Sequence, residues 1–254
     1  FLGFAGGAWM GTALVSRFGL EGLVAMAGVT LIGLCAFFIM PSRLAVEHGE
    51  LEPGILIQRP AITPKISFWP VFYIAIPSAI GSTLVTSLLP TRLHELGFPL
   101  THGGMAALLF GCGSAVGALA WSFLARRRGE MFCVTAGLML GVPILVTYLV
   151  FIKSSYATIL LMATGACAGA AYPLLVALAR NTTGPVLGTR MALMVGGTWG
   201  TASIVLFALG PVAERWGSQP PLYCAVTGYF AAGLLALRLL RLQSRVANPA
   251  RVPV

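Results

Sequence analysis

The sequence predicts an all-α membrane protein, and three observations support this class. Charged residues make up only 9% of the 254 residues, against about 25% in soluble domains, and apolar residues reach 57%. Apolar runs of about 20 residues, the length with which a helix crosses a bilayer, recur along the chain. Three of these runs end in short segments of similar sequence. A surface with so few charges requires the bilayer as its solvent.

The apolar runs predict seven full membrane-spanning helices, preceded by the end of another helix in residues 1–15. The full spans are predicted at residues 20–40, 68–89, 103–124, 131–152, 157–179, 188–209 and 221–240. The longest polar gap, residues 41–66, holds four Pro, three Glu and three basic residues. We interpret this gap as a linker that separates the first helices from the last six.

The distribution of basic residues predicts the orientation of the chain. If the spans alternate in direction, twelve of the sixteen Lys and Arg residues lie on the side of the linker and the C-terminus. The other four are Arg17, Arg92, Lys153 and Arg215. Because cytoplasmic loops carry the excess of positive charge, the linker and the C-terminus are predicted to be cytoplasmic. The net charge of +9 is interpreted as this topological signal and not as a nucleic-acid surface.

The sequence contains no constellation typical of an enzyme. It has no Asp, and Glu95, Glu130 and Glu214 lie at predicted helix ends, far apart in sequence. The three His lie in loops or at helix ends, and the five Cys lie in apolar runs without a CxxC pair. We therefore expect no catalytic residue, no metal site and no cofactor.

No ionisable side chain falls in the middle of any predicted span. Buried charges in membrane helices mark ion sites and proton relays. If the intact protein couples to protons, its titrating group is therefore expected outside these spans. The alternative is a protein that does not couple to protons.

Three segments look like copies of one phrase: residues 12–19 (TALVSRFG), 122–129 (SFLARRRG) and 210–217 (GPVAERWG). In each of them an Arg lies two residues before a Gly, and this Gly can end a helix. Repeated helix-turn-helix units in a membrane chain are typical of secondary transporters, whose folds are built from repeats around a central path.

The phrase resembles the signature G-x-L-A-D-R-x-G-R of the major facilitator superfamily. The third copy has Glu214 at the acidic position, whereas the second has Arg126 there and the first has Ser16. The resemblance implies a major facilitator-type helical bundle of two six-helix halves, of which the chain would hold the fifth through twelfth helices. Residues 1–40 would then end the first half, 41–66 form a cytoplasmic linker, 67–242 form the second half, and 243–254 form a cytoplasmic tail.

Two further stretches are similar to drug exporters of the fosmidomycin-resistance type, namely residues 68–97 and residues 171–180, the latter followed by the Gly-rich helix 194–217. This resemblance implies efflux of small apolar or amphiphilic compounds by alternating access across a bacterial inner membrane. The partners would be lipid, the substrate and the missing N-terminal helices. An uptake carrier for a sugar or an organic anion is one alternative, and a non-transporting membrane scaffold is another.

Polar and adaptable side chains on shared helical faces are the candidates for a substrate path. In the span 68–89, Ser78, Ser82 and Thr86 share a face, and Pro77 loosens the helix beside them. The remaining candidates are Tyr172, Met191, Met194, Thr198 and Thr201. On the span 188–209, Gly196 and Gly200 lie opposite the Met and Thr stripe and are expected to pack on another helix. The alternative for all of these residues is ordinary packing, with the hydroxyls bonded to their own helices.

Two copies of the phrase supply candidate gate or topology residues: Arg126, Arg127, Arg128 and Gly129, then Glu214, Arg215 and Gly217. The arginine cluster is interpreted as an anchor at the anionic cytoplasmic leaflet. The family resemblance implies the alternative of a gate latch that bonds to neighbouring helix ends. We favour the anchor, because Arg126 stands where a latch needs an acid.

Glycines at four-residue spacing predict one close helix pair. Gly3, Gly7 and Gly11 form one such face, and Gly113 and Gly117 form another. Small residues at this spacing let two membrane helices approach closely. We expect these two faces to pack on each other.

Overall fold

The computed structural model describes residues 2–24, 26–28, 31–32, 35, 66–154 and 156–247. Every regular element in these ranges is a helix. The predicted span 20–40 lies largely outside the described residues, and the predicted linker lies outside them except for Ile66. The tail after residue 247 is outside them as well.

Seven long helices make up the described part of the chain. They are α1 (Leu2–Phe18), α2 (Phe68–Glu95), α3 (Leu100–Arg128), α4 (Glu130–Val150), α5 (Ala157–Arg180), α6 (Leu187–Trp216) and α7 (Gln219–Ala247). The helices α2 to α7 are long and apolar enough to cross a membrane. The last six predicted spans are therefore confirmed, and the chain is a multi-pass membrane protein.

Helix α2 lies in the middle of the bundle and contacts α3, α5, α6 and α7. Helix α4 packs on α5 and α7, and α1 packs on α3. Successive helices run in opposite directions, since Gly103 at the start of α3 lies against Pro90 near the end of α2. We call the end where α2 begins the basic end, because Arg126, Arg127, Arg128, Arg180 and Arg190 lie there. The opposite end, with Arg92, Lys153 and Arg215, is the far end.

Helix α5 contains one π-helical turn, Gly165–Gly169, which packs on α3 at backbone distance. The Ala170 N–H donates to the Gly165 carbonyl, five residues earlier. A Cβ on Gly113 would overlap the carbonyl of Met162, and a Cβ on Gly117 would overlap that of Ala166. Glycine at these positions therefore sets the separation between α3 and α5.

Helix α4 covers the opposite side of the same turn, again through glycine. A Cβ on Gly137 would lie 2.8 Å from the carbonyl oxygen of Cys167, and a Cβ on Gly141 would lie 2.9 Å from the backbone nitrogen of Ala168. The indole N–H of Trp121 on α3 donates to the Ala166 carbonyl at 2.9 Å. The widened turn is thus held by backbone contacts on both sides and by one side-chain hydrogen bond.

The contact between α2 and α7 is also close. The Tyr229 ring lies against Gly81, where a Cβ would be 3.1 Å from three ring atoms. The Tyr229 hydroxyl is 2.9 Å from the Ser82 hydroxyl, and Tyr229 is fully buried. A Cβ on Gly228 would lie 2.9 Å from the Pro77 carbonyl oxygen. Such interhelical hydrogen bonds contribute about 0.6 kcal/mol on average in membrane proteins.

At the basic end, backbone and side-chain bonds join α2, α5 and α6. The Phe68 N–H donates to the Thr183 carbonyl, and the Thr183 N–H donates to the Ile66 carbonyl, each at 2.9 Å. The Arg190 guanidinium donates to the carbonyls of Ala179 and Thr182. A cation at this place satisfies carbonyls that the end of α5 leaves without helical partners.

At the far end, Glu95 of α2 caps α7. Its carboxylate accepts bonds from the Ser218 N–H at 3.0 Å and from the Ser218 hydroxyl at 2.8 Å. Arg92 donates to Glu95 at 3.1 Å and also to the Gln219 side chain. A carboxylate at the N-terminus of a helix satisfies free N–H groups and complements the helix dipole.

The glycines of the three phrases end their helices as predicted. Gly19, Gly129 and Gly217 follow the last residues of α1, α3 and α6, with φ of 66°, 89° and 79°. Only glycine adopts these left-handed conformations without strain.

The predicted contact between the first helix and α3 forms, but through different faces. Gly104 of α3 lies against Thr12 of α1. Gly11 instead faces Met26, which also lies 4.0 Å from the Cβ position of Gly7. The α5 backbone lies against Gly113 and Gly117, so these two glycines do not contact α1. The surroundings of the Gly3 side-chain position are outside the described residues.

We expect Gly117→Ala to lower the free energy of unfolding by about 1–3 kcal/mol, because the new methyl group would overlap the rigid Ala166 backbone. Gly200→Ala is the matched control, since no atom of a described residue lies within 4 Å of its Cβ position. It should be neutral or stabilising by up to about 1 kcal/mol. Thermal unfolding in detergent, followed by circular dichroism, measures both. Equal stability of the two variants would contradict the backbone contact.

Candidate functional site

A stripe of six side chains runs along one face of α2. We call it the α2 stripe, and it comprises Trp69, Tyr73, Ile76, Ile80, Thr83 and Ser87. At about 100° per residue these positions fall within an arc of about 80°. Trp69, Tyr73 and Ser87 are exposed, while the two Ile are half-buried and Thr83 is buried. The central helix therefore keeps a surface that is open at both ends of the stripe.

Aromatic rings cluster at the basic end of the α2 stripe. Trp69 packs on Phe72 and Tyr73, with ring centroids 6.1 and 6.5 Å apart, and Phe68 stacks on Phe72 at 5.6 Å. Trp69 is 46% exposed and Tyr73 is 58% exposed. The Phe72 ring lies 3.4 Å from the Cβ position of Gly197 on α6. The two exposed rings can thus contact a flat apolar molecule.

Polar groups along the same stripe are available for hydrogen bonding. Pro77 has no N–H with which to bond the Tyr73 carbonyl in the preceding turn. The buried Thr83 hydroxyl has no hydrogen-bond partner among the residues that the structure describes. Ser87 adds an exposed hydroxyl nearer the far end. The stripe therefore combines aromatic, aliphatic and hydroxyl groups, and it contains no charge.

A buried tyrosine joins α5 to α6 beside the stripe. The Tyr172 hydroxyl donates to the Met194 carbonyl at 2.6 Å and lies 2.9 Å from the Thr198 hydroxyl. The Thr198 hydroxyl also donates to the Met194 carbonyl. Met194 belongs to a second π-helical turn, Leu193–Gly197, in α6. Tyr172 follows the π-helical turn of α5, so this bond links the two irregular turns.

A small apolar cluster connects the tyrosine bond to α2. Ala79 of α2, Tyr172 of α5 and Ala202 of α6 pack together, and Ile80 and Trp199 pack against them. The rings of Tyr172 and Trp199 meet edge to face, with centroids 5.5 Å apart. Since Ile80 belongs to the α2 stripe, the two π-helical turns and the stripe form one continuous region.

The hydroxyl face predicted on α2 lies on the opposite side from the α2 stripe. Ser82 bonds to Tyr229 of α7, and Thr86 donates to the Ser82 carbonyl at 2.9 Å. Ser78 is fully buried, and its hydroxyl has no hydrogen-bond partner in the described part of the chain. Ser82 is thus part of the α2–α7 contact. It does not face Met194 and Thr198, which lie against Tyr172.

The predicted stripe on α6 is turned toward the bundle. Met194 and Thr198 are fully buried, and Met191 is half-buried against the core. Thr201 is half-buried and donates to the Gly197 carbonyl at 2.8 Å. The structure therefore brings Tyr172, Met194 and Thr198 together, as a packed contact.

The glycine face of α6 is open in the described part of the chain. No atom that the structure describes lies within 4 Å of the Cβ position of Gly196 or Gly200. Ile204 and Phe207 on the same helix are 70% and 85% exposed. The face that we expected to pack on another helix has no neighbour among these residues.

The arginine cluster contacts rings and no carboxylate within the described ranges. The Arg126 guanidinium lies 5.7 Å from the centre of the Phe123 ring, and that of Arg128 lies 5.5 Å from the centre of the Phe132 ring. Arg127 is exposed. The Arg92–Glu95 pair is the only ion pair among the residues described.

The third phrase also departs from the expected latch. Glu214 and Arg215 are exposed and form no ion pair in the part of the chain that the structure describes. The acid beside Gly217 is Glu95 of α2, whose carboxylate oxygens lie 3.6 and 3.8 Å from the Gly217 Cβ position. The acid beside this helix end is thus supplied by α2 and not by the phrase itself.

The described residues contain no group of three or more His, Cys, Asp or Glu side chains that could hold a metal ion. All five Cys are free thiols. Comparisons of the chain with protein-family models, with curated proteins and with solved structures found no match.

The candidate residues predicted from the sequence do not include Trp69, Thr83 or Ser87. Their signal was present as alternating steps of four and three residues along the α2 stripe, which is the helical period. The sequence does not distinguish this face, because both faces of α2 are apolar with scattered hydroxyls. The hydroxyls of Ser78 and Ser82 follow the helical period equally well. Only the position of α7 distinguishes the two faces.

We expect Tyr172→Phe to lower the free energy of unfolding by about 0.6–1.7 kcal/mol, because it removes the hydrogen bond between the two irregular turns. Tyr156→Phe is the matched control, since that side chain is 72% exposed and its hydroxyl makes no hydrogen bond with a described residue. Thermal unfolding of the two purified variants measures the difference. A Tyr172→Phe variant as stable as the control would show that the bond does not hold α5 to α6.

Proposed function

We propose that this protein is a membrane carrier that moves small apolar or amphiphilic compounds by alternating access. The observation that carries this proposal is the uncharged α2 stripe, which follows the central helix past two irregular turns. The six spanning helices and the absence of a metal-type cluster among the described residues are compatible with a carrier.

The surroundings of α2 favour a substrate path over a lipid-facing surface. Four helices contact α2. They leave the two ends of the α2 stripe exposed. Hydrocarbon offers no partner for the Tyr73 carbonyl, which Pro77 leaves without its usual helical bond, and polar groups without partners are unfavourable there. Irregular or interrupted helices at membrane depth are tolerated where they line a cavity.

The composition of the stripe supports the substrate class. Trp69 and Tyr73 provide aromatic surfaces, and Ile76 and Ile80 provide aliphatic ones. Thr83 and Ser87 add hydroxyls without a charge. An anionic sugar acid or organic anion would need a cation, and the stripe has none. Aromatic and amphiphilic compounds, including those with a diffuse positive charge that can stack on Trp, fit it better.

The wider proposal rests on the sequence resemblance to the major facilitator superfamily. In that scheme residues 67–242 form the second six-helix half, which works with a first half across the linker. The π-helical turns in α5 and α6 are places where these helices could bend as the halves rock. The five Arg at the basic end support a cytoplasmic location for that end. The sequence similarity to drug exporters supports efflux across a bacterial inner membrane.

Cysteine accessibility tests whether the α2 stripe is exposed to water. In a variant without the five native Cys, Ser87→Cys and Tyr73→Cys should react with a membrane-impermeant thiol reagent about tenfold or more faster than Thr227→Cys, since only a hydrated thiol forms thiolate readily. Thr227 is the matched control, because it is exposed on the outer face of α7. An exported aromatic dye should slow the reaction at Tyr73→Cys.

The outcome separates the candidate functions. Equal, slow reaction at all three positions in cell membranes would contradict the path and favour a membrane protein that does not transport. Protection by a sugar or an organic anion, with none by dyes, would favour an uptake carrier.

We expect replacement of Arg126, Arg127 and Arg128 by Gln to lower the fraction of molecules inserted in the correct orientation, while correctly inserted molecules keep normal turnover. Each Arg costs about 2.5–3.5 kcal/mol at the centre of a membrane helix, so the cluster fixes the end of α3 at the surface. Protease protection measures orientation, and dye efflux measures turnover. A turnover loss of about tenfold or more in Arg127→Gln alone, with intact orientation, would show a gate role instead.

A further inference from the structure

A cavity of about 260 Å³ lies at the far end, between the ends of α2 and α4 and the beginnings of α3 and α5. It does not touch the α2 stripe. Its polar lining comprises His102, Tyr148, Lys153, Ser154 and Thr158. Because these helices end here, the cavity lies at the boundary between the hydrocarbon and water.

Tyr148 provides an unused hydrogen-bonding group in this cavity. Its side chain is only 3% exposed, and its hydroxyl makes no hydrogen bond with any residue that the structure describes. The ring of Tyr148 is buried, whereas its hydroxyl lines the cavity, and the polar end of a buried tyrosine usually finds a hydrogen-bond partner. The cavity is the space from which a partner can reach it.

The cavity has positive character and no acid in its lining. Lys153 is exposed and forms no ion pair within the described ranges, where Arg92–Glu95 is the only one. Glu95 is already engaged by Ser218 and Arg92. His102 lies on the α3 side of the cavity, with its ring 5.6 Å from that of Phe98. An anion bound here would therefore meet an unpaired amine and an imidazole.

The other wall of the cavity is apolar and leads toward the lipid. Met105 and Leu109 of α3 and Leu161 of α5 line it. Met105 is 45% exposed, and the neighbouring Ile159 of α5 is 67% exposed. A ligand with a charged head and an apolar chain could thus place each part against matching groups.

We propose that this cavity binds the anionic head group of a membrane phospholipid. The phosphate would contact Lys153 and His102, the Tyr148 hydroxyl would donate to an oxygen of the head group, and the first acyl carbons would lie along Met105 and Leu109. The charged and hydroxyl groups line one side of the cavity and the apolar side chains line the other, which suits a head group with the start of an acyl chain. This site does not depend on the proposed transport function.

Binding of short-chain lipids to the purified, delipidated full chain in neutral detergent tests the proposal. Dihexanoyl phosphatidylglycerol should raise the thermal midpoint, because a ligand of the folded state stabilises it, and dihexanoyl phosphatidylcholine should do so much less. Lys153→Gln should weaken binding of phosphatidylglycerol about fivefold. Arg215→Gln is the matched control, since it removes one exposed positive charge at the same end outside the cavity and should leave the affinity unchanged.

Two further variants keep the test independent of general charge effects. Tyr148→Phe should leave the lipid-free midpoint equal or higher, because it removes an unpaired hydroxyl, and should still weaken lipid binding. Thr158→Trp, at an exposed position of the lining, should block the cavity and remove the lipid-dependent shift.

Three results would overturn the proposal. The first is an equal loss of affinity in Arg215→Gln and Lys153→Gln, and the second is unchanged binding in Thr158→Trp. The third is binding of glycerol phosphate as tight as that of the short-chain lipid, which would identify a site for a free phosphate compound instead of a lipid.

Discussion

The bundle depends on one turn of backbone, Gly165–Gly169, that is held between α3 and α4 at glycine positions of both helices. Gly113 and Gly117 admit it on one side, and Gly137 and Gly141 admit it on the other. In lipid, helices gain little from burying apolar side chains against one another, so close packing and interhelical hydrogen bonds must hold them. Backbone contact on both sides fixes the position of α5 in a way that larger side chains could not.

The position of α5 then decides the geometry of the candidate site. Tyr172 lies three residues after the constrained turn, and its hydroxyl donates to the Met194 carbonyl in the second irregular turn. That contact holds α6 beside α2, where Ile80 packs on the cluster around Tyr172. The α2 stripe is consequently covered in its middle and open at its ends. The glycine contacts thus position the tyrosine bond, and the tyrosine bond decides which part of α2 stays exposed.

The two ends of the bundle are tied by different chemistry. At the basic end the bonds come from backbone groups and from Arg190, which binds carbonyls at the end of α5. At the far end a carboxylate, Glu95, binds the N-terminus of α7. The cation of Arg190 complements a helix C-terminus, and the anion of Glu95 complements a helix N-terminus. Arg190 and Glu95 thus lie at helix ends, where their charges meet backbone groups that the helices leave without partners.

The sequence by itself determined the membrane class, the presence of six spans and the glycines that end α1, α3 and α6, because length, hydropathy and glycine capping are local properties. It did not determine which faces meet. Ser82 and Tyr229 are 147 residues apart, and nothing near Ser82 shows that its hydroxyl is used by α7. Gly113 and Gly117 were recognised as a close-approach face, but their neighbour proved to be α5. In lipid a helix can be apolar on all sides, so hydropathy does not mark the buried face, and only the tertiary structure could assign it.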